Sequence, residues 1–162
     1  MLTAQQTLAF NKKFTKKLRI AIVRANYHKD LVDNLESCAR LTLTNAGVNE
    51  KNIQTIVVPG SWEIPIVLQK LAESKKLKPD GIIALGVIVK GETFHFELIA
   101  NEVTSALMQL SIDNHIPIAY EVLAVPELKH AQVRAGMDTN NKGIEAANAL
   151  LQTIGILKTL KK

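Results

Sequence analysis

Short runs of consecutive apolar, largely β-branched residues alternate along the chain with longer segments whose apolar positions recur every three or four residues. The runs at 18–25 (LRIAIVRA), 53–59 (IQTIVVP), 80–91 (DGIIALGVIVKG) and 116–125 (IPIAYEVLAV) read as buried strands. The periodic segments at 29–46, 63–76, 93–115, 126–136 and 141–160 read as helices. In the first of them Leu31, Leu35, Cys38 and Leu41 define an apolar stripe, widened by Val32, Ala39 and Leu43. Gly47 is placed to end that helix, since glycine accepts the left-handed backbone of a helix exit. Pro65 falls in a first helical turn, where a missing N–H costs little. Strands alternating with helices in the order β-α-β-α-β-α-β-α-α predict an α/β fold. Its four-stranded parallel sheet is covered by helices on both faces, a three-layer α/β/α sandwich.

Composition fits this picture. With 162 residues, 47% of them hydrophobic, the chain has enough apolar surface for one sizeable core. The pattern predicts one domain over 18–162, preceded by a basic N-terminal tail over 1–17. No apolar run reaches the roughly 18 residues of a membrane span, and the N-terminus lacks the charged-then-apolar order of a secretory signal. A single cysteine, Cys38, excludes an internal disulfide framework and suits a reducing, cytoplasmic setting.

Charge distribution changes the first impression left by the net +5. Residues 1–19 carry five basic residues and no acid, and residues 158–162 carry three and no acid. The twelve basic residues between them face all fifteen acids, leaving the body at −3. Basicity confined to the ends argues against nucleic-acid binding as the main role.

Candidate chemistry clusters at the strand ends, where parallel α/β sheets bind ligands. Asn26-Tyr27-His28 follows the first strand and Pro59-Gly60-Ser61-Trp62-Glu63 the second. Lys90-Gly91-Glu92-Thr93-Phe94-His95 follows the third, and Tyr120 lies near the fourth. Neither G-x-G-x-x-G nor G-x-x-x-x-G-K-[ST] occurs, which argues against nicotinamide and Walker-type enzymes. Gly91-Glu92-Thr93 at a strand-to-helix junction suits a phosphate, or is a glycine turn with Thr93 as helix cap. His95 is a candidate proton carrier or a packed histidine. Trp62 is a stacking surface or core, and Glu63 a hydroxyl ligand or a favourable first-turn acid. Arg134 and Lys142 bracket a helix–helix turn and would clamp an anion, unless simply solvated. Four scattered histidines predict no metal site. The residues alone thus describe a rim site for a flat polar molecule, with or without a phosphate. They leave open an enzyme, a flavin-type binding module, a flavodoxin-like electron carrier and a basic RNA-associated protein.

Four segments, taken together, resemble the 6,7-dimethyl-8-ribityllumazine synthase family of riboflavin biosynthesis. They are LRIAIVRANYH (18–28), VPGSWEIP (58–65), LGVIVKGETFHFELIANEV (85–103) and VRAGMDTNNKGIEAA (133–147). The resemblance implies a flavodoxin-like fold and a transferase without cofactor or metal. Its substrates would be 5-amino-6-(D-ribitylamino)uracil and 3,4-dihydroxy-2-butanone 4-phosphate. It also implies site roles. Tyr27 and Trp62 would face the heterocycle, Ser61 and Glu63 the ribityl chain, and the backbones of Ile88 and Val89 the pyrimidine edge. Gly91, Glu92, Thr93 and Arg134 would bind phosphate, His95 would transfer protons, and Lys142 matches the family's lysine. Tyr120 matches an aromatic that usually comes from a neighbouring subunit. The implied assembly is a homopentamer, with a hollow 60-subunit shell as its larger form. The chain departs from the family at Lys90, often Arg, and at Glu121, often Gly.

Overall fold

A computed structural model describes residues 10–160 of the chain. Strands β1 (Ile20–Ala25), β2 (Ile53–Val58), β3 (Gly81–Val89) and β4 (Ile118–Val125) form one parallel sheet in the order β2-β1-β3-β4. Around it lie α2 (Lys29–Asn45), α3 (Ile64–Glu73), α4 (His95–Asn114), α5 (Leu128–Arg134) and α6 (Lys142–Thr159), after a short α1 (Lys12–Thr15). This is the flavodoxin-like three-layer sandwich that the pattern predicts.

Side-chain alternation sends successive residues of each strand to opposite faces, and two cores result. Ile20, Ile22, Ile83 and Leu85 pack with Leu35 and Leu43 of α2 and Leu150 and Leu151 of α6. Ala21, Val23, Ile82, Ala84 and Val122 pack with Leu68 of α3 and Val103 and Leu107 of α4. Every residue of β1 is buried, as befits a central strand between two helical layers.

Three expectations need correcting. Leu41, assigned to the stripe of α2, is exposed; the buried set is Val32, Leu35, Cys38, Ala39 and Leu43. At 100° per residue, Leu41 lies about 160° from Leu43 around the helix, so it cannot share that face. Helix α4 begins at His95, and residues 90–94 form a loop rather than its first turn. The segment read as a tail is partly fastened to the core. Thr15 is buried and its hydroxyl donates to the Ala46 carbonyl at 2.7 Å, while Phe10 and Phe14 pack against the α2–α6 cluster. Gly47 does take a left-handed φ of 99°, and a Cβ there would stand 2.8 Å from Thr15 Oγ1. The first nine residues of the expected tail lie outside the described residues.

Among the described residues, no helix is long and apolar enough to cross a membrane. Helix α4 is nevertheless unusual for its length. It fully buries only Val103 and Leu107. Its outer side carries Phe94, Leu98, Met108 and Ile112 as an exposed apolar stripe. These positions fall within an arc of about 80° around the helix axis.

Candidate active site

Chain order and spatial order diverge between β1 and β3. The chain leaves β1 for β2 on one side and returns to β3 on the other, so the loops above these strands part and leave a crevice. The ladder itself opens there. Pairing of β3 with β1 ends at Arg24 with Leu85, whereas pairing with β4 runs on to Val89 with Val125. Residues of a parallel strand point their peptide groups alternately to the two neighbours. Ile82 donates to Pro117 and Lys90 to Val125, both on the β4 side. The even residues, Ile88 included, therefore face β4, and Val89 turns its N–H and C=O toward the open crevice. Of the two residues expected to offer backbone groups, Val89 is the one whose peptide is available.

Three loops close around that crevice. Tyr27, in the β1–α2 loop, is 71% exposed, and Trp62, in the β2–α3 loop, is 57% exposed. Two large aromatic surfaces left in water at one rim are ready stacking faces for a flat ring. Ser61 is buried beside them. Its hydroxyl lies over Gly86 of β3, where a Cβ would come within 2.6 Å. Glycine at 86 is thus what lets the loop settle onto the sheet. The Glu63 carboxylate accepts from the Gly60 N–H at 2.8 Å, which fixes the loop and orients the carboxylate.

The third loop meets the requirements for an anion. The N-cap position of α4 is Phe94, which makes no capping hydrogen bond. The closest side-chain oxygen is Thr93 Oγ1, 3.5 Å from the His95 N–H. The first amides of a twenty-residue helix are therefore without a strong side-chain cap, at the positive end of the helix dipole. Gly91, Glu92 and Thr93 are all exposed, and a Cβ on Gly91 would meet nothing within 4 Å. His95 is exposed as the first residue of the helix. Lys90 pairs with Glu97 at 3.0 Å, tying the end of β3 to the first turn of α4. The hydrogen bond from Lys90 holds the Glu97 carboxyl below its ordinary range.

The remaining candidates lie elsewhere. Tyr120 pairs with Ala84, five residues short of Val89 and roughly 16 Å down the sheet. Its hydroxyl is 3.0 Å from Thr104 Oγ1 of α4, and burial raises its pKa. Arg134 ends α5 and donates to the His130 carbonyl at 3.0 Å. Lys142 opens α6 and is ion-paired with Glu145. Among the described residues, no hydrogen bond or ion pair joins Tyr120, Arg134 or Lys142 to the rim group. The candidates divide into the rim group and three residues outside its contacts. These three are not one cluster, since Tyr120 packs against the α3–α4 core while Lys142 lies near Glu121, which points to the opposite face of the sheet. Nor do three His, Cys, Asp or Glu side chains converge as a metal centre requires, again among the described residues.

Two residues near Lys142 were not counted among the candidate site residues. Asn141 is fully buried: it caps α6 through the Gly143 N–H at 2.8 Å and donates to the Gly136 carbonyl at 2.7 Å. It thereby holds the turn that presents Lys142, and its signal was an Asn directly before a helical pattern. Glu121 of β4 is the other. Burial pushes its carboxyl up to about 7, partly offset by the Lys142 charge and reinforced by that of Glu145.

This gives a pH dependence. Below its ordinary value of 4.5, Glu121 is protonated whether the chain is folded or not. As the pH rises toward 7, the unfolded chain releases that proton while the folded chain keeps it, so folding stability falls across this window and levels off above it. The whole effect is at most about 3 kcal/mol. Glu121→Gln is expected to be more stable relative to the parent near about pH 8 than near about pH 5. Denaturant unfolding at both values checks this; an equal difference at the two would refute it.

Comparison with known proteins gives a consistent match. The model of the 6,7-dimethyl-8-ribityllumazine synthase family matches residues 17–158. A 6,7-dimethyl-8-ribityllumazine synthase of Blochmanniella pennsylvanica is 42% identical over 146 residues, covering 90% of this chain and 91% of that protein. Those of Leuconostoc mesenteroides (39% over 143 residues, covering 88% and 90%) and Polaromonas (41% over 138 residues, covering 83% and 88%) are similar to a comparable degree.

Proposed function

Because the chain belongs to the 6,7-dimethyl-8-ribityllumazine synthase family, we propose that the rim group and Tyr120, Arg134 and Lys142 belong to one active site, completed between neighbouring subunits. The reaction is the condensation of 5-amino-6-(D-ribitylamino)uracil with 3,4-dihydroxy-2-butanone 4-phosphate, the penultimate step of riboflavin biosynthesis. It yields 6,7-dimethyl-8-ribityllumazine, phosphate and water.

The rim set receives the pyrimidine. Tyr27 and Trp62 offer their faces to the ring, and the Val89 peptide matches its alternating donors and acceptors. Ser61 and Glu63 take the ribityl hydroxyls. The exposed 91–93 loop and the start of α4 receive the phosphate of the second substrate. An amine of the uracil adds to the ketone and loses water to give an imine. Phosphate is then eliminated, and the second amine closes the ring with loss of further water. Each step moves a proton, and His95 stands beside the phosphate loop to carry it. No strong nucleophile is needed; orientation of two reactive partners supplies much of the rate. Arg134 adds a bidentate cation for the departing phosphate, Lys142 a second charge, and Tyr120 a further aromatic wall, all from the adjacent subunit.

The register that leaves Tyr120 roughly 16 Å down the sheet from Val89 carries this reading. The apolar stripe of α4 supports an oligomer, since a surface of that kind belongs at an interface. The proposed unit is a homopentamer, of which twelve sometimes form a 60-subunit shell in the family, and the lone cysteine accords with a cytoplasmic setting. Arg134→Ala is expected to raise KM for the phosphorylated substrate by roughly tenfold or more. An unchanged KM removes Arg134 from the phosphate site. The shared site is tested by refolding Arg134→Ala together with His95→Ala at limiting phosphorylated substrate. A random mixture joins an intact rim to an intact partner at roughly a quarter of its interfaces, and activity returns to that extent. If each chain completes its own site, mixing restores nothing.

A further inference from the structure

His28 is the residue on which the backbone of the rim turns, and its side chain has no duty in the reading above. It stands at the N-cap of α2 with φ 51° and ψ 48°, in the left-handed region. Only one other non-glycine residue among the described ones, His115, has a positive φ. The turn is fixed from below: the His28 carbonyl accepts from the Leu31 N–H at 3.0 Å and the Val32 N–H at 3.1 Å. Asparagine or glycine would enter the left-handed region with less strain, and asparagine would add a capping oxygen. The imidazole makes no capping hydrogen bond. Its contact is with its neighbour. The His28 and Tyr27 rings meet edge to face, with centroids 5.9 Å apart and planes at 71°. Tyr27 is otherwise mostly in water, whereas His28 is half-buried and therefore the steadier of the two.

We propose that His28 is a positioning residue for substrate binding: its ring sets the plane in which Tyr27 is presented to the pyrimidine. This rests on the active-site reading above. An exposed tyrosine without a neighbour samples several rotamers, and only one of them lays its face along a bound ring. Restricting it before the ligand arrives reduces what binding must order. Edge-to-face contact leaves the outer face of Tyr27 open, as stacking requires. The left-handed turn aims the imidazole at Tyr27, so a strained backbone at a binding rim has an identifiable use. His28 touches the stacking ring and not the reacting atoms. It acts on the uracil substrate's binding and not on the chemical step.

The experiment compares His28→Asn and His28→Phe in a two-substrate assay. Asparagine keeps the left-handed turn and removes the ring; phenylalanine keeps a ring. His28→Asn is expected to raise KM for ribitylaminouracil by roughly threefold to tenfold with kcat within about twofold of the parent, because the lost contact acts only on binding. His28→Phe is expected to restore most of that KM, and melting temperatures recorded alongside show whether either variant is merely unstable. A parental KM in His28→Asn, or a His28→Phe as weak as His28→Asn at equal stability, overturns the proposal. A parent protein that fails to turn over both substrates overturns the active-site reading itself, a different result from an active parent with indifferent variants.

Discussion

Gly143→Ala is expected to destabilise the protein by at least about 3 kcal/mol, the upper part of the range for overpacking. Position 143 lies in the first turn of α6 and faces α2. A Cβ built there stands 2.0 Å from the Leu35 carbonyl oxygen and 2.9 Å from the Leu35 carbonyl carbon. Both obstacles are backbone, inside a seventeen-residue helix whose hydrogen bonds fix that carbonyl. No rotamer change relieves the clash; one helix must move from the other. The same methyl also meets Asn141 Oδ1 at 2.9 Å, so the cap that presents Lys142 is disturbed at once. Gly155→Ala, on the same helix, is the control. A Cβ there meets nothing within 4 Å, and replacing glycine inside a helix should gain roughly 0.5–1 kcal/mol. Thermal unfolding at matched protein concentration should therefore move the two variants in opposite directions. A Gly143→Ala protein within about 1 kcal/mol of the parent would show that α2 and α6 are not packed this closely.

His95→Ala is expected to lower kcat by roughly 10- to 100-fold, at or below the low end of what a positioned acid–base group contributes. The modest size has a reason. An amine and a ketone combine without strong activation, so holding them together supplies more of the rate than any single proton carrier. The effect should be confined to turnover. His95 is exposed, opens α4 and belongs to neither core cluster, so its loss leaves the fold intact. Stopped-flow absorbance of lumazine formation, with both substrates saturating, separates kcat from binding. A rate within about twofold of the parent at unchanged stability would remove His95 from the proton-transfer role.

The strands and helices were legible because their periods differ: β3 is an unbroken apolar run, β1 is one but for Arg24, and the helices repeat every three to four residues. Leu41 was misassigned because one residue of error on a helix is 100°, enough to move a side chain out of the core. Residues following one another in chain order, such as Tyr27 with His28 or Ser61 to Glu63, were correctly placed at one rim. Arg134 and Lys142 also belong to the motifs, and Tyr120 was matched near the fourth strand, but spacing along a chain says nothing about which edge of a sheet a residue faces. Only the register with Ala84 shows how far Tyr120 lies from the rim. The left-handed turn at His28 was not visible either, since histidine, unlike glycine, gives no hint of a positive φ.

Strand β3 outruns β1 and leaves the Val89 peptide unclaimed. A contact made by main chain is written nowhere in the side-chain alphabet. Substituting Val89 by another β-branched residue leaves the same donor and acceptor in the same place. Selection acting on sequence thus has little purchase on this edge of the site. A competitive inhibitor that pairs with this peptide, and leans little on Tyr27 or Trp62, would leave the protein few point mutations by which to escape.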